Sequence, residues 1–185
     1  MPKADPPPRP AVPACRGGQA EVSNTMKIGV VADTHSREIP GQLIDDFREV
    51  DFIVHAGDFC SLKDFKIFSS LGHLKAVYGN MDDPALRRLL PRREIFEISG
   101  QLIGLVHGDG AAQTVIDYVT AQFKNEHVST IIFGHSHQPC NKRIKDILYF
   151  NPGSPNDLII APYCSYGILE IKENQVTGKI IKVKK

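Results

Sequence analysis

The sequence has almost no net charge, no closely spaced cysteines, no internal repeat and no apolar run of membrane-spanning length. Twenty-two basic and 21 acidic side chains leave a formal charge of +1. No global field therefore draws the chain to nucleic acid or to an anionic surface. The one basic cluster, Lys182-Val183-Lys184-Lys185, reads as a solvated end. A bilayer span needs roughly 20 consecutive apolar residues, and no membrane partner is expected. Lys3 and Arg9 have no apolar stretch beside them, so a secretory signal is not expected either. Cys15, Cys60, Cys140 and Cys164 stand far apart. A chain of 185 residues can bury a core without disulfides, and the cytoplasm is the expected setting.

What is present divides in two. Six of the 13 prolines fall in the first 13 positions, followed by Gly17-Gly18 and small polar residues. Such a composition cannot bury a face, so residues 1–25 read as a disordered extension and residues 26–185 as one domain. Met26-Lys27 opens a strand at once, which suggests Met26 as the physiological start or residues 1–25 as dispensable.

From there strands and helices alternate. Strands are expected at Lys27–Ala32, Phe52–His55 and Leu74–Tyr78, with helices near Gln42–Glu49, Leu62–Ser70 and Pro84–Leu90 between and after them. Ser61 reads as an N-cap with Asp64 as its capping-box partner. Glu94–Ser99 and Gln101–Val106 read as a hairpin about Gly100. A helix near Gln113–Asn125 then leads to strand Thr130–Phe133. Further strands are expected at Asn141–Ile147, Leu148–Phe150, Tyr166–Lys172 and Val176–Val183, with a turn at Asn174. A mixed chain with a β-rich second half implies packed sheets flanked by helices. The strand-rich end also offers an edge for self-association as a homo-oligomer.

Five apolar runs each stop at a residue that can bind a metal: Asp33 with His35, Asp58, Asn80, His107, and His135 with His137. In open α/β sheets the ligand site lies beyond the carboxyl ends of the strands. Seven oxygen and nitrogen donors should therefore meet on one rim, as in a two-metal hydrolase. Mixed carboxylate, amide and imidazole donors suit manganese, iron or zinc better than calcium.

In order, the stops read D-x-H, G-D, G-N, H and G-H-x-H. This series resembles that of the calcineurin-like metallophosphoesterases, and the length is similar to their small bacterial and archaeal phosphodiesterases. The likeness runs from Met26 to about Val183. It implies a four-layer αββα sandwich of two mixed sheets between helices. It also implies two divalent ions, manganese first, with iron, zinc, nickel or magnesium as alternatives. Asp33, His35 and His137 would hold one ion, and Asn80, His107 and His135 the other, with Asp58 bridging. The implied activity is hydrolysis of a small phosphodiester by in-line attack of a bridging hydroxide, with Asp58, Asn80 and His107 at the reacting centre. A phosphomonoesterase and a non-catalytic scaffold akin to a retromer subunit are the alternatives.

One departure stands out. Many members of the wider superfamily carry His after G-N, where this chain has Met81-Asp82-Asp83. Help to the leaving group is thus in doubt, and Asp82 reads as an exposed aspartate at a helix start. His55 is expected to support the site rather than bind metal, and His73 and His127 to be exposed. Cys60 reads as a small buried filler rather than a ligand. Asn151-Pro152-Gly153-Ser154 reads as a tight turn, with phosphate contact by Ser154 a lesser reading. Arg87, Arg88, Arg92 and Arg93 could meet a phosphate, though a solvated helix face is the simpler account.

Overall fold

A computed structural model describes residues 25–184. The expected disorder of residues 1–25 lies outside the described residues except at Thr25, which is in neither helix nor strand. The elements run β1 (Met26–Val31), α1 (Gly41–Phe47), β2 (Phe52–His55), α2 (Leu62–Leu71), β3 (Leu74–Ala76), α3 (Pro84–Leu89), β4 (Arg93–Ile98) and β5 (Gln101–Val106). They continue through α4 (Val115–Gln122), β6 (Thr130–Ile132), β7 (Cys140–Ile144), β8 (Ile147–Asn151), β9 (Ser165–Lys172) and β10 (Gln175–Lys182).

Two five-stranded sheets form, ordered β10-β9-β1-β2-β3 and β4-β5-β6-β8-β7. Both are mixed: β1, β2 and β3 run parallel, as do β5, β6 and β8, and the outer partners are antiparallel. The expected four-layer sandwich is the observed one. Ile28, Val30 and Val54 face Ile103, Leu105 and Ile132 between the sheets. Val31 and Ile53 point the other way, toward Leu43, Phe47 and Phe68 of α1 and α2. On the far side, Val115 and Val119 of α4 cover Ile131 and Tyr149. Strands buried on both faces carry apolar residues at every position, which is why they read as unbroken runs.

Several boundaries differ from the sequence reading for physical reasons. β3 stops at Ala76, because the Tyr78 N–H leaves the ladder and donates to Pro91. The β7–β8 turn falls at Lys145-Asp146, with Lys145 at φ 51°, so β7 ends at Ile144 rather than Ile147 and β8 gains one residue at each end. The expected capping box is absent. Ser61 makes no side-chain cap and instead accepts a hydrogen bond from Ser36. Asp64 turns inward and is buried. The expected turn before β10 is present, with Glu173 and Asn174 both at positive φ.

Phe150 locks the sheets together. It is fully buried on β8, and its ring lies against Gly167 of β9 and Gly178 of β10 in the opposite sheet. A Cβ on Gly167 would meet the ring at 2.3 Å, and one on Gly178 at 2.6 Å. Phe150→Ala should therefore cost about 3–5 kcal/mol through the cavity it leaves, lowering the melting temperature by roughly 10 °C. A variant that melts with the parent in a calorimetric scan would show that the ring does not hold the sheets.

Candidate metal centre

The candidate residues sit where parallel strands end. Each strand ends one to four residues before its candidate donor: β1 before Asp33, β2 before Asp58, β3 before Asn80, β5 before His107 and β6 before His135. Backbone bonds then lace the loops together. Asp33 N–H donates to Gly57 and His35 N–H to Asp58, both at 3.0 Å, and Gly134 N–H donates to His107 at 2.8 Å. The turns are sharp. Asp33, His35, Asp58, His135 and His137 all have φ between 49° and 66°. Each such residue stores strain of order 1–3 kcal/mol, a cost found where a site dictates the backbone.

All seven donors come together. Asp33, His35 and His137 form one compact group, and Asp33, Asp58 and His107 a second. His35 Nε2 lies 3.1 Å from His137 Nε2, which is 3.7 Å from Asp33 Oδ1. His107 Nε2 lies 3.3 Å from Asp58 Oδ2 and 3.1 Å from Asn80 Oδ1. His135 Nδ1 lies 3.0 Å from the same Asn80 oxygen. Asp58 Oδ2 is also 4.0 Å from His35 Nε2, so its carboxylate lies between His35 and His107.

The imidazoles are oriented from behind, as metal-binding histidines are. His107 Nδ1 donates to Ala56 at 2.7 Å, leaving Nε2 for the site. His137 Nδ1 donates to Asp157, and His135 Nε2 donates to Gly110 at 2.8 Å. His35 Nδ1 faces the Cys60 sulfur at 3.4 Å. Asp33 Oδ2 is buried and has no hydrogen-bond partner. A buried carboxylate oxygen without a donor, on a side chain whose other oxygen faces His107 and His137, fits a divalent cation. The donor set thus passes a chemical test for metal that does not depend on motif order.

The electrostatics agree. Burial pushes the Asp33 carboxyl up to about 6, although His107 and His137 pull it down. Burial alone would lower His107, but the Asp58 hydrogen bond and the Asp33 charge raise it to about 9. Burial would raise Asp58, yet bonding to His107 and the Met81 N–H hold it below the usual carboxylate range.

Asp82 departs from its sequence reading, and Ser154 and Asp157 take roles that the sequence did not give them. Asp82 is not an exposed helix-start residue: it is 4% exposed and accepts N–H bonds from Asp58, Gly79 and Cys60 at 3.0, 2.7 and 2.7 Å. The turn at Gly79 points it inward, and Asp83 caps α3 through Leu86 N–H instead. Gly79 must be glycine, because a Cβ there would lie 2.1 Å from Asp58 Oδ1. Ser154 is fully buried and donates to the Asp33 carbonyl at 2.8 Å, so it cannot reach a phosphate. Asp157, which the sequence reading missed inside a turn-like stretch, orients His137 and accepts N–H bonds from Ile159 and Ile160.

The remaining assignments follow the sequence reading. His55 is fully buried, stacks on Phe59 at 3.4 Å and accepts the Gly57 N–H, so it supports the loop. His73 and His127 are exposed. Burial pushes the half-buried Cys60 thiol up to about 11, which keeps it protonated and a poor ligand. Met81 is 58% exposed and offers no proton.

Residues 26–174 match the Calcineurin-like phosphoesterase superfamily domain. A protein of Methanocaldococcus jannaschii named "Probable metallophosphoesterase" is 35% identical over 170 residues, covering 88% of this chain and 84% of its own. A protein of the same organism named as a phosphodiesterase is 30% identical over 142 residues, covering 69% of this chain and 83% of its own. The Vps29 structure of Chaetomium thermophilum superposes with a TM-score of 0.69 over 86% of this chain and 99% of its own, at 18% identity, a likeness of fold alone. With the motif series matched over most of its length and the donors assembled on one rim, the chain belongs to the calcineurin-like phosphoesterase superfamily and is a phosphoric ester hydrolase.

Proposed function

We propose that the protein hydrolyses small phosphodiesters with two divalent cations held by Asp33, His35, His137, Asn80, His107 and His135 and shared by Asp58. One observation carries the reading: the Asp58 carboxylate lies between His35 on one side and His107 on the other. When bound, such a pair of ions lowers the pKa of water to give a nucleophile at neutral pH and neutralises charge on the phosphoryl oxygens. Manganese is the first choice for this donor set, with iron, zinc, nickel or magnesium behind it.

The chain's own groups explain a preference for diesters with good leaving groups. Met81 has no proton to give, so the departing alkoxide leaves unassisted. Asn80 contributes an uncharged oxygen beside His107 and His135, so that trio carries less negative charge than Asp33, His35 and His137 and repels an anionic substrate less. A scaffold role is the weaker reading, because it would not require seven donors aimed at one point with a stranded carboxylate oxygen. The phosphodiesterase name of one relative supports the diester choice. A cytoplasmic setting suits the free thiols of Cys60 and Cys140. No helix among the described residues is long and apolar enough to cross a membrane.

His107 makes metal binding depend on pH. With its pKa raised to about 9, it is protonated at pH 7 and must release that proton to bind a cation through Nε2. Affinity should therefore rise from pH 7 to 9, and fall again below about 6 as Asp33 protonates. Calorimetric titration of the metal-free protein with Mn²⁺ in PIPES and in Tris at pH 7 should give different enthalpies, reporting about one proton released. Equal enthalpies would show that His107 carries no proton for the metal to displace at pH 7.

Activity supplies a second test. Purified protein with Mn²⁺ should cleave bis(4-nitrophenyl) phosphate. Asp58→Asn and His107→Ala should each reduce kcat by more than about 100-fold while the far-ultraviolet dichroism stays unchanged. No cleavage with Mn²⁺, Zn²⁺, Ni²⁺ or Mg²⁺ would favour the scaffold, and full activity in either variant would refute the ligand assignment.

A further inference from the structure

A cleft of about 280 Å³ opens directly beside Asn80 and His107, walled by Tyr78, Arg87, Arg92 and Tyr118. Of the four arginines from α3 to the start of β4, it receives two. Arg93 pairs with Glu126 and lies over the Phe123 ring, and Arg88 is exposed outside the cleft. The two that enter have different roles. Arg87 is consumed by the fold: its Nε donates to the Asp82 carbonyl at 2.8 Å and its Nη2 to the Asn80 carbonyl at 2.6 Å. It therefore braces the loop that presents Asn80. Arg92 is different. Its Nη2 donates only to the neutral Tyr118 hydroxyl at 3.2 Å, and it forms no ion pair among the described residues. The one acid in the cleft, Asp109, is exposed and accepts the N–H of Gly110.

An exposed guanidinium with no ion-pair partner, steadied by a phenol at the mouth of the cleft and near only the exposed Asp109 charge, is built to receive an anion. We propose that this cleft is a phosphate-recognition subsite and that Arg92 is its specificity-determining residue. The substrate class is then a small phosphodiester that carries a further phosphate monoester on one of its ester groups. The diester phosphorus sits at the Asp58 rim, and the second phosphate lies in the cleft, where the planar guanidinium can donate two parallel N–H bonds. Tyr118 supplies a further donor, and the Tyr78 ring, 5.9 Å from the Arg87 guanidinium, forms the opposite wall. This inference rests on the diesterase reading above, but its test separates the two.

Thymidylyl-thymidine (TpT) and its forms with a terminal 5′- or 3′-phosphate (pTpT, TpTp) would be measured as competitors of bis(4-nitrophenyl) phosphate hydrolysis at fixed free Mn²⁺. In the native enzyme at least one phosphorylated dinucleotide should have an inhibition constant about tenfold below that of TpT, the effect of one charge-assisted hydrogen bond in a half-open cleft. Arg92→Gln should bring that ratio close to one. Arg92→Lys should keep part of it, since the charge remains but the fork is lost. Arg88→Gln should keep all of it. Competition equal for the three dinucleotides in the native enzyme, or a ratio unchanged in Arg92→Gln, overturns the subsite. So does an Arg92→Gln variant whose kcat for bis(4-nitrophenyl) phosphate collapses, because Arg92 would then act on the reacting phosphate itself. Failure of the native enzyme to cleave bis(4-nitrophenyl) phosphate with any metal overturns the diesterase reading, and the subsite falls with it.

Discussion

The position of the Asp58 carboxylate is the constraint around which the rest of this structure is arranged. Two groups of donors can share one anionic centre only if that carboxylate is held still between them. Left free in a rim so rich in imidazole and carboxylate, it would turn to whichever partner was nearer. Its Oδ1 is pinned by the Met81 N–H at 2.7 Å, which commits Oδ2 to the site. Its backbone is held in the left-handed region at φ 60°. Asp82 then ties the Asp58, Cys60 and Gly79 backbones to one buried carboxylate. Loops from two neighbouring strands thus move as one body, and the strain of the positive-φ residues is borne by bonds that water cannot easily replace.

The sandwich delivers donors from both sheets to that point. β1, β2 and β3 bring Asp33, His35, Asp58 and Asn80, whereas β5 and β6 bring His107, His135 and His137. A shift between the sheets would therefore separate donors from each other. Phe150 resists such a shift by filling the space over Gly167 and Gly178. The next residue, Asn151, is fully buried and donates to the Gly134 carbonyl at 2.8 Å. Core packing and site geometry are consequently linked through two consecutive residues, so a core substitution at 150 would be felt at His135.

The strand-end donors were legible because each is preceded by an apolar run and most by a glycine, a pattern that survives without any tertiary knowledge. The layers were legible for a similar reason, since β1 and β5 are buried on both faces. What escaped was everything that depends on which way a loop residue turns. Asp82 and Asp83 are chemically identical neighbours before α3, yet one caps the helix and the other enters the core. Nothing local distinguishes them; the direction is set by the close approach of Gly79 to Asp58. Asp157 lies in a stretch whose prolines, glycine and asparagine announce a turn, and its partner His137 is 20 residues away. Ser154 likewise has the composition of a surface turn but meets Asp33 at a separation of 121 residues. The Ser61 capping box failed for the converse reason, because Ser36 offered the hydroxyl a better partner.

The same donors impose a cost on the fold. Asp33 is fully buried, and its folded pKa of about 6 stands above the ordinary carboxylate value. A carboxylate raised in the folded state destabilises the protein wherever it is ionised, here by on the order of 3 kcal/mol above about pH 6. His107 acts oppositely. Raised to about 9, it contributes stability that is present below its unfolded value of 6.5 and lost as pH rises through 9. Near neutral pH the two offset each other as an internal ion pair, with His107 Nε2 3.9 Å from Asp33 Oδ1. The proton on His107 thus stands in for a cation that the carboxylates require. A group that binds the folded chain and not the unfolded one stabilises it in proportion to the logarithm of its concentration. Under the proposed metal reading, exchange of that proton for a divalent ion would raise stability and complete the centre in one event. A site that is poorly compensated when metal-free is what makes this coupling strong, and the positive-φ loops are held by Asp82, Ser154 and Asn151 so that the fold tolerates it.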